Sequence, residues 1–272
     1  MIVLILAILG LCFGSFINAL VWRVHEQENG QKGRDVSVLK GRSMCPNCRH
    51  ELAAQDLVPV FSWLFLRGRC RYCKKPIAWQ YPLVELATAA IFVLSYLWWP
   101  ISFDQKGQWL LLSSWLAAVI GLMALLIYDF RWMLLPNRIL YPTFLVVAAS
   151  RMAYILAYAP DKTHQLSLWG ASLIVASGFF AAIFYASKGR WIGFGDVRLG
   201  LVTGTVLATP GKSVLMLFLA SVLGTLFILP AVASGKSKMT SRMPYGPFLI
   251  TATAIVVLFG QSFLDWYQRH FL

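Results

Sequence analysis

Long blocks of apolar residues, separated by short polar segments, constrain this chain more than any other feature of its sequence. A block of about 20 apolar residues can cross the hydrocarbon core of a bilayer as an α-helix. A helix also satisfies its backbone polar groups internally, as lipid requires. Only 13% of the 272 residues are charged, against about 25% in an ordinary soluble domain. We therefore predict an all-α polytopic membrane protein embedded in a lipid bilayer.

The apolar blocks predict eight transmembrane helices and a three-part organisation. The predicted spans are 1–22, 82–99, 109–128, 137–158, 166–187, 196–208, 214–233 and 247–264. The sixth is short and contains Gly200 and Gly204, which is typical of a helix covered by other helices. The parts are a first transmembrane helix at 1–22, a polar segment at 23–81, and a seven-helix membrane domain at 82–272.

The positive charges indicate the orientation. The chain carries a net charge of +13, and most of its Lys and Arg residues lie in loops on one side of the spans. Cytoplasmic loops are enriched in these residues, so we place the 23–81 segment in the cytoplasm and both termini outside it. Membrane topology explains the basic character, and we expect no nucleic-acid partner.

Four cysteines in the 23–81 segment form two CxxC pairs. Cys45 and Cys48 make the first pair, and Cys70 and Cys73 the second. Each CxxC turn can direct two sulfur atoms to one point, so two such turns predict a tetrahedral, structural zinc site. Two disulfides or a thioredoxin-like redox pair are the alternatives, although the expected compartment is reducing. A closed four-thiolate site leaves no open position for catalysis by the metal.

Three acidic residues stand beside apolar spans: Glu85, Asp129 and Asp196. An ionisable group at membrane depth is a candidate functional residue. Asp129 ends a span that runs inward and Asp196 begins one that runs outward, so both lie at the cytoplasmic face. Paired carboxylates share a proton and can activate a water for peptide hydrolysis. This placement predicts an aspartyl peptidase.

The surroundings of these acids suggest how the residues would divide their roles. Gly193 and Gly195 precede Asp196 and would let a peptide backbone approach closely. A helix start favours the charged form of Asp196, whereas a helix end disfavours that of Asp129, so we expect Asp129 to hold the shared proton. Alternatively, Asp196 is only an N-cap and Asp129 only faces water. We assign Glu85 a positioning role in support of the site.

Six motifs, in order, together resemble the type IV prepilin peptidases, which are bacterial leader peptidases of the GxGD aspartyl protease group. They are GSFIN at 14–18 with Arg23, the two CxxC pairs, YPLVEL at 81–86, Asp129 with LPN at 135–137, GFGDVRL at 193–199, and PYGPF at 244–248. Family members usually carry Lys in place of Arg198 and often Phe in place of Tyr245. Neither departure touches the two aspartates.

This resemblance implies a function. Members of the family cut the leader from type IV prepilins and from the pseudopilins of type II secretion, at the cytoplasmic face of the bacterial inner membrane. Members with the cysteine loop commonly also methylate the new N-terminus with S-adenosylmethionine. The expected partners are prepilin or pseudopilin substrates, and the methyl donor has no assigned residues beyond a region of interest around Gly14, Asn18 and the zinc loop.

Two other functions are compatible with some of these features. A proton- or ion-coupled transporter would also carry intramembrane acids, but near the bilayer midplane and often in repeated halves. A non-enzymatic assembly protein of a pilus or secretion system would use the cysteine loop for docking and leave the acids without a role.

Overall fold

The computed structural model describes residues 1–31, 33, 36–38, 41–233 and 243–271. Over these residues the fold is helical, with two isolated β-bridges and no strand. The helices are α1 (Ile2–Glu28), α2 (Phe61–Phe65), α3 (Gln80–Leu97), α4 (Gln108–Trp132), α5 (Asn137–Tyr158), α6 (Lys162–Leu173), α7 (Phe179–Ser187), α8 (Phe194–Leu207), α9 (Pro210–Ala233) and α10 (Gly246–Phe271). The all-α prediction is confirmed.

Seven helical segments among the described residues are long and apolar enough to cross a membrane. One of them, Lys162–Ser187, joins α6 and α7 through a π-helical turn at Ile174–Gly178. The sixth predicted span corresponds to α8, which has 14 residues and is therefore only about 21 Å long. It is too short to cross a hydrocarbon core of about 30 Å without its neighbours.

The chain divides into two compact units. Unit 1 contains Met1–Leu97 and Val119–Ala124, and unit 2 contains Trp98–Ala118 and Leu125–Leu272. The predicted division at 22/23 and 81/82 follows membrane boundaries instead, and it remains a prediction. α1 continues to Glu28, six residues past the predicted end of the first span, because polar residues after Trp22 prolong the helix beyond its apolar part.

In unit 1, two glycines allow α1 to pack tightly against α3. A Cβ on Gly10 would lie 2.5 Å from the Cα of Ala89, and one on Gly14 would lie 2.5 Å from the Cα of Glu85. Both distances are far below van der Waals contact, so only glycine fits at either position. The part of the GSFIN motif at Gly14 thus serves helix packing.

Polar side chains of α1 then hold the segment that follows it. Asn18 is buried and donates a hydrogen bond to the carbonyl of Tyr81. Arg23 donates to the carbonyls of Val38 and Gly41, at 3.3 and 3.0 Å. Buried polar groups need such partners, and here the partners are carbonyls of the loop after α1 and the carbonyl of Tyr81 in the first turn of α3.

In unit 2, α8 is surrounded by other helices, as its glycines predicted. Gly200 approaches the π-helical turn so closely that a Cβ would lie 2.7 Å from the carbonyl oxygen of Ala176. The hydroxyl of Ser172 donates to the carbonyl of Gly204, and that of Ser177 to the carbonyl of Val197, both at 2.8 Å. These contacts fix the depth and rotation of α8, and with them the position of Asp196 in its first turn.

Candidate active site and metal centre

Asp129 lies in the last turn of α4 and is 5% exposed. The helix ends because Met133 adopts a left-handed conformation with φ 54°, and its N–H donates to the carbonyl of Asp129 at 2.8 Å. The side chain turns inward and its Oδ2 accepts a hydrogen bond from the N–H of Gly246 at 3.1 Å. The alternative in which Asp129 only faces water is therefore wrong.

Gly246 is the first residue of α10, and its lack of a side chain leaves room for the Asp129 carboxylate. A Cβ at this position would lie 2.6 Å from Oδ2 of Asp129. The N-terminus of a helix carries free N–H groups and a partial positive charge that stabilise a carboxylate. Asp129 thus lies at the end of α4 and faces the N-terminus of α10. Sequence reasoning that considered α4 alone missed this second, favourable helix end.

Asp196 is the third residue of α8, within the same unit as Asp129. The N-cap is Gly193, so the alternative in which Asp196 is merely an N-cap is wrong. The Asp196 carboxylate is half-buried, forms a hydrogen bond with the backbone of Gly193, and lies close enough to Asp129 for the two charges to interact. Two carboxylates predicted from distant helix ends therefore lie near each other within unit 2.

The turn between α4 and α5 packs against the start of α8. A Cβ on Gly195 would lie 3.1 Å from Cδ1 of Leu135, so this glycine lets the turn approach. Arg198 donates a hydrogen bond to Oδ1 of Asn137, and its guanidinium lies 5.4 Å from the ring centre of Phe194. The LPN and GFGD motifs form one joined structure that holds both aspartate-bearing helices.

Tyr245 is a further neighbour that sequence reasoning noted only as part of a motif. Its hydroxyl lies 3.3 Å from the hydroxyl of Ser221. Burial raises the pKa of Tyr245, and the negative charge of Asp196 raises it further. Tyr245 and Gly246 thus place the start of α10 beside both acids, and the PYGPF motif was the signal that could have predicted this.

Glu85 contacts residues of unit 1. Its Oε2 accepts a hydrogen bond from the N–H of Val60 at 2.7 Å, and it also bonds the hydroxyl of Ser15. Val60 has a φ of 62°, which is uncommon for a β-branched residue. Glu85 therefore anchors a strained turn of the loop in unit 1, and the role in support of the aspartate site that was expected for it stays a prediction.

The four cysteines come together in unit 1. Their sulfur atoms all lie within 4.8 Å of one another, and those of Cys45 and Cys73 are 3.9 Å apart. A tetrahedral zinc with Zn–S bonds of about 2.3 Å places its sulfurs about 3.8 Å apart. The arrangement fits a zinc ion, with Cys45, Cys48, Cys70 and Cys73 as ligands.

The two CxxC turns have the same local structure. The N–H of Arg49 donates to the carbonyl of Cys45, and the N–H of Lys74 donates to that of Cys70, at 2.9 and 3.0 Å. Arg49 and Lys74 have φ values of 55° and 60°. Each pair therefore forms a knuckle closed by a left-handed residue four positions after its first cysteine.

The thiols differ in their acidity. Burial raises the pKa of Cys45 to about 11, against the opposing effect of the N–H groups of Cys48 and Asn47. Burial also acts on Cys70, but the N–H groups of Cys73 and Tyr72, together with the side chains of Cys45 and Cys73, outweigh it and lower the pKa to about 7. Zinc needs thiolates, so metal binding would displace protons from this cluster.

The region around Gly14 and Asn18 does not fit direct contact with S-adenosylmethionine. The backbone of α3 fills the space beside Gly14. The Asn18 amide already forms hydrogen bonds with the carbonyl of Tyr81 and, at 3.4 Å, with the side chain of Gln80. Both residues are buried, so neither presents an open surface to a cofactor.

Comparison with known proteins identifies two matching domains. The bacterial peptidase A24 N-terminal domain matches residues 8–99, and the type IV leader peptidase family matches residues 115–229. The first match contains the cysteine cluster and Glu85, and the second contains both aspartates.

Relatives match along nearly the whole chain. A prepilin leader peptidase/N-methyltransferase of Bacillus subtilis is 31% identical over 268 residues, which is 97% of each chain. One from Aeromonas hydrophila is 27% identical over 96% of this chain and 92% of its own. A type 4 prepilin-like proteins leader peptide-processing enzyme of Escherichia coli is 32% identical over 88% and 87%. No solved structure matches significantly.

Proposed function

We propose that this chain, which belongs to the type IV leader peptidase family, is a membrane-bound aspartyl endopeptidase that removes the leader peptide from prepilins and pseudopilins. The observation that carries the proposal is the proximity of Asp129 and Asp196, two carboxylates whose charges interact. Asp129 is buried and Asp196 is half-buried. The names of the relatives supply the substrate class, because they act on prepilins.

The chemistry requires one protonated and one ionised carboxylate. The ionised group takes a proton from a water as the water attacks the scissile carbonyl, and the protonated group stabilises the developing oxyanion. The proton taken from the water then passes to the leaving amine. The two carboxylates thus act together as general base and general acid. The contact of Asp129 with the N–H of Gly246 fixes that carboxylate in place, and Gly193 leaves backbone space beside Asp196 for an extended substrate.

We assign the active site to the cytoplasmic face of the bacterial inner membrane, with both termini outside the cytoplasm. The seven apolar helices support a multi-pass protein. Both termini lie on one side only if the number of crossings is even, so we assign α8, which is covered by other helices, as the eighth crossing. The concentration of basic residues in the loop of unit 1 supports the orientation.

The second proposed activity is methylation of the new N-terminus, with S-adenosylmethionine as methyl donor. It is supported by the N-methyltransferase part of the relatives' names. We assign the cysteine cluster a structural zinc that holds the loop of unit 1, because a closed tetrahedron leaves no position for a substrate.

The test is cleavage of a prepilin by membranes carrying wild type, Asp129→Asn or Asp196→Asn at matched abundance. Each variant should lose at least a hundredfold in rate, since acid–base groups contribute about 10²–10⁴. Asp104→Asn is the matched control, because Asp104 is exposed and its side chain accepts a hydrogen bond from Ser102 in a loop remote in sequence from both aspartates. Full cleavage by either active-site variant would refute the aspartyl pair and favour a transport or assembly role.

A further inference from the structure

Unit 2 contains a cavity of about 240 Å³ at the end of the helices opposite the aspartates. Ser114 lines it from the start of α4, whereas Asp129 lies near the end of the same helix. Their spacing along α4 is roughly 22 Å at 1.5 Å per residue. The cavity is therefore separate from the proposed active site, and its residues have no role in the reaction described above.

Two cations, Arg151 and Lys212, line this cavity. The Nε atom of Arg151 is inaccessible to solvent and has no hydrogen-bond partner among the described residues. The guanidinium lies 5.6 Å from the ring centre of Tyr154, which also lines the cavity. An unpaired polar group in such a position costs free energy unless a ligand satisfies it.

The protein supplies little negative charge to balance this pair. The charges of Arg151 and Lys212 interact with each other, which is unfavourable between like charges. Asp265 acts on Lys212 electrostatically, but its carboxylate accepts a hydrogen bond from Gln261. In the part of the chain that the structure describes, neither cation forms a salt bridge. The positive charge at this cavity is left for another partner.

The start of α9 adds to the positive electrostatic potential in the cavity. The helix begins at Pro210, and Thr209 just before it lines the cavity together with Lys212 in the first turn. First-turn N–H groups have no partner within the helix, and the macrodipole places partial positive charge there. Helix starts of this kind are established anion-binding positions.

We propose that Arg151 and Lys212 bind a phosphate group in this cavity, contributed by a phospholipid headgroup or by free phosphate. A phosphate presents enough oxygens to meet the guanidinium, the ammonium and the start of α9 at once, whereas a carboxylate has two. The fork of an Arg side chain matches phosphate oxygens. Trp99, Trp115 and Val147 give the cavity an apolar wall, which suits the glycerol and upper acyl part of a lipid.

The test uses the full chain purified in dodecyl maltoside, a detergent without phosphate, and follows thermal unfolding. One arm adds inorganic phosphate and the other adds short-chain phosphatidylglycerol, with chloride at equal ionic strength as reference. A ligand that binds the folded state raises Tm in a concentration-dependent way. A response to inorganic phosphate identifies free phosphate as a ligand, and a response confined to phosphatidylglycerol identifies the lipid.

Arg151→Gln and Lys212→Gln should each weaken the apparent affinity roughly tenfold or more, as expected for charge-assisted hydrogen bonds. Lys106→Gln is the control with the same charge change, because Lys106 is exposed and does not line the cavity. Without ligand, both cavity variants should melt at or above the wild-type Tm, since each removes an uncompensated charge. The proposal is overturned if neither probe stabilises the wild type, or if the cavity variants respond as the wild type does.

Discussion

The cysteine cluster and the aspartate pair are assembled in opposite ways. In the cluster, each half is a turn of a few residues whose hydrogen bonds lie within that turn, as between Arg49 and Cys45. In the aspartate pair, the Asp129 carboxylate accepts a hydrogen bond from the N–H of Gly246, 117 residues away. A local motif carries its own geometry, whereas a non-local one depends on how whole helices pack. We therefore expect damage at the cluster to stay within its loop, and damage at the pair to follow from remote changes in packing.

The largest effect should come from removing one ligand of the cluster. Cys70→Ser should reduce bound zinc from about one ion per chain to nearly none, because three thiolates and a hydroxyl bind far more weakly. The loop of unit 1 should then become sensitive to protease, since structural zinc supplies folding free energy directly. Metal analysis and limited proteolysis measure both effects.

The matched control for this prediction is Cys12→Ser, which changes the one cysteine outside the cluster. It should keep the metal. Unchanged zinc content in Cys70→Ser would show that the four cysteines do not form the proposed site, and the contrast with the aspartate pair would fail.

A smaller effect should follow from adding one methyl group at the start of α10, which is far along the chain from Asp129. In Gly246→Ala the new Cβ would lie 2.6 Å from Oδ2 of Asp129, so either the carboxylate or the helix must move. A shift of this kind in a catalytic group costs about a hundredfold in rate. Prepilin cleavage by membranes with matched protein levels measures it.

Gly170→Ala is the control for that experiment, since nothing lies within 4 Å of a Cβ at this position in α6. It should cleave normally and be more stable by up to about 1 kcal/mol, because Ala favours helix over Gly. If Gly246→Ala cleaves as fast as Gly170→Ala, the contact with Asp129 has no catalytic importance.

The smallest effect concerns the hydrogen bonds between the second CxxC turn, Cys70–Cys73, and the turn at Ala54–Asp56. Asp56 accepts hydrogen bonds from Arg71 at 2.7 Å and Tyr72 at 3.0 Å. Burial alone would raise the pKa of Asp56, but these two partners outweigh it and hold the pKa below its ordinary value. Because Arg71 is partly exposed, Asp56→Asn should destabilise the loop by less than about 1 kcal/mol at pH 7.

The sign of the pH dependence follows from that lowered pKa. The stabilisation is complete above the ordinary pKa of about 4 and is lost as the pH falls through the lower, folded-state pKa. Hydrogen exchange in the loop should therefore show a constant difference between Asp56→Asn and wild type from pH 7 to about pH 5, and a shrinking one below it. A difference that grows in acid would contradict this assignment.

The sequence was sufficient to predict the features that depend on interactions between residues close together in the chain. CxxC spacing predicted a cluster whose sulfurs do converge, and apolar length predicted the helices that carry Asp129 and Asp196. Helix ends were less predictable: α8 begins at Phe194 rather than Asp196 because Gly193 takes the N-cap position. The role of Gly246 could not be derived from composition or periodicity, because it depends on where α10 begins relative to α4. The half-buried cations Arg151 and Lys212 could likewise be given no role until the helices around them were placed.

The bond between Asp129 and the first residue of α10 also sets an order of events during synthesis. Asp129 is made long before Gly246 exists, and at about 5–20 residues per second the 117 residues from position 130 up to and including Gly246 take roughly 6–23 seconds to translate. Once Asp196 has also been made, the nascent chain carries both aspartates but still lacks the N–H that fixes one of them. In the proposed mechanism, catalytic competence therefore arrives with the last helix, and a chain released before α10 is inserted would hold the two acids without peptidase activity.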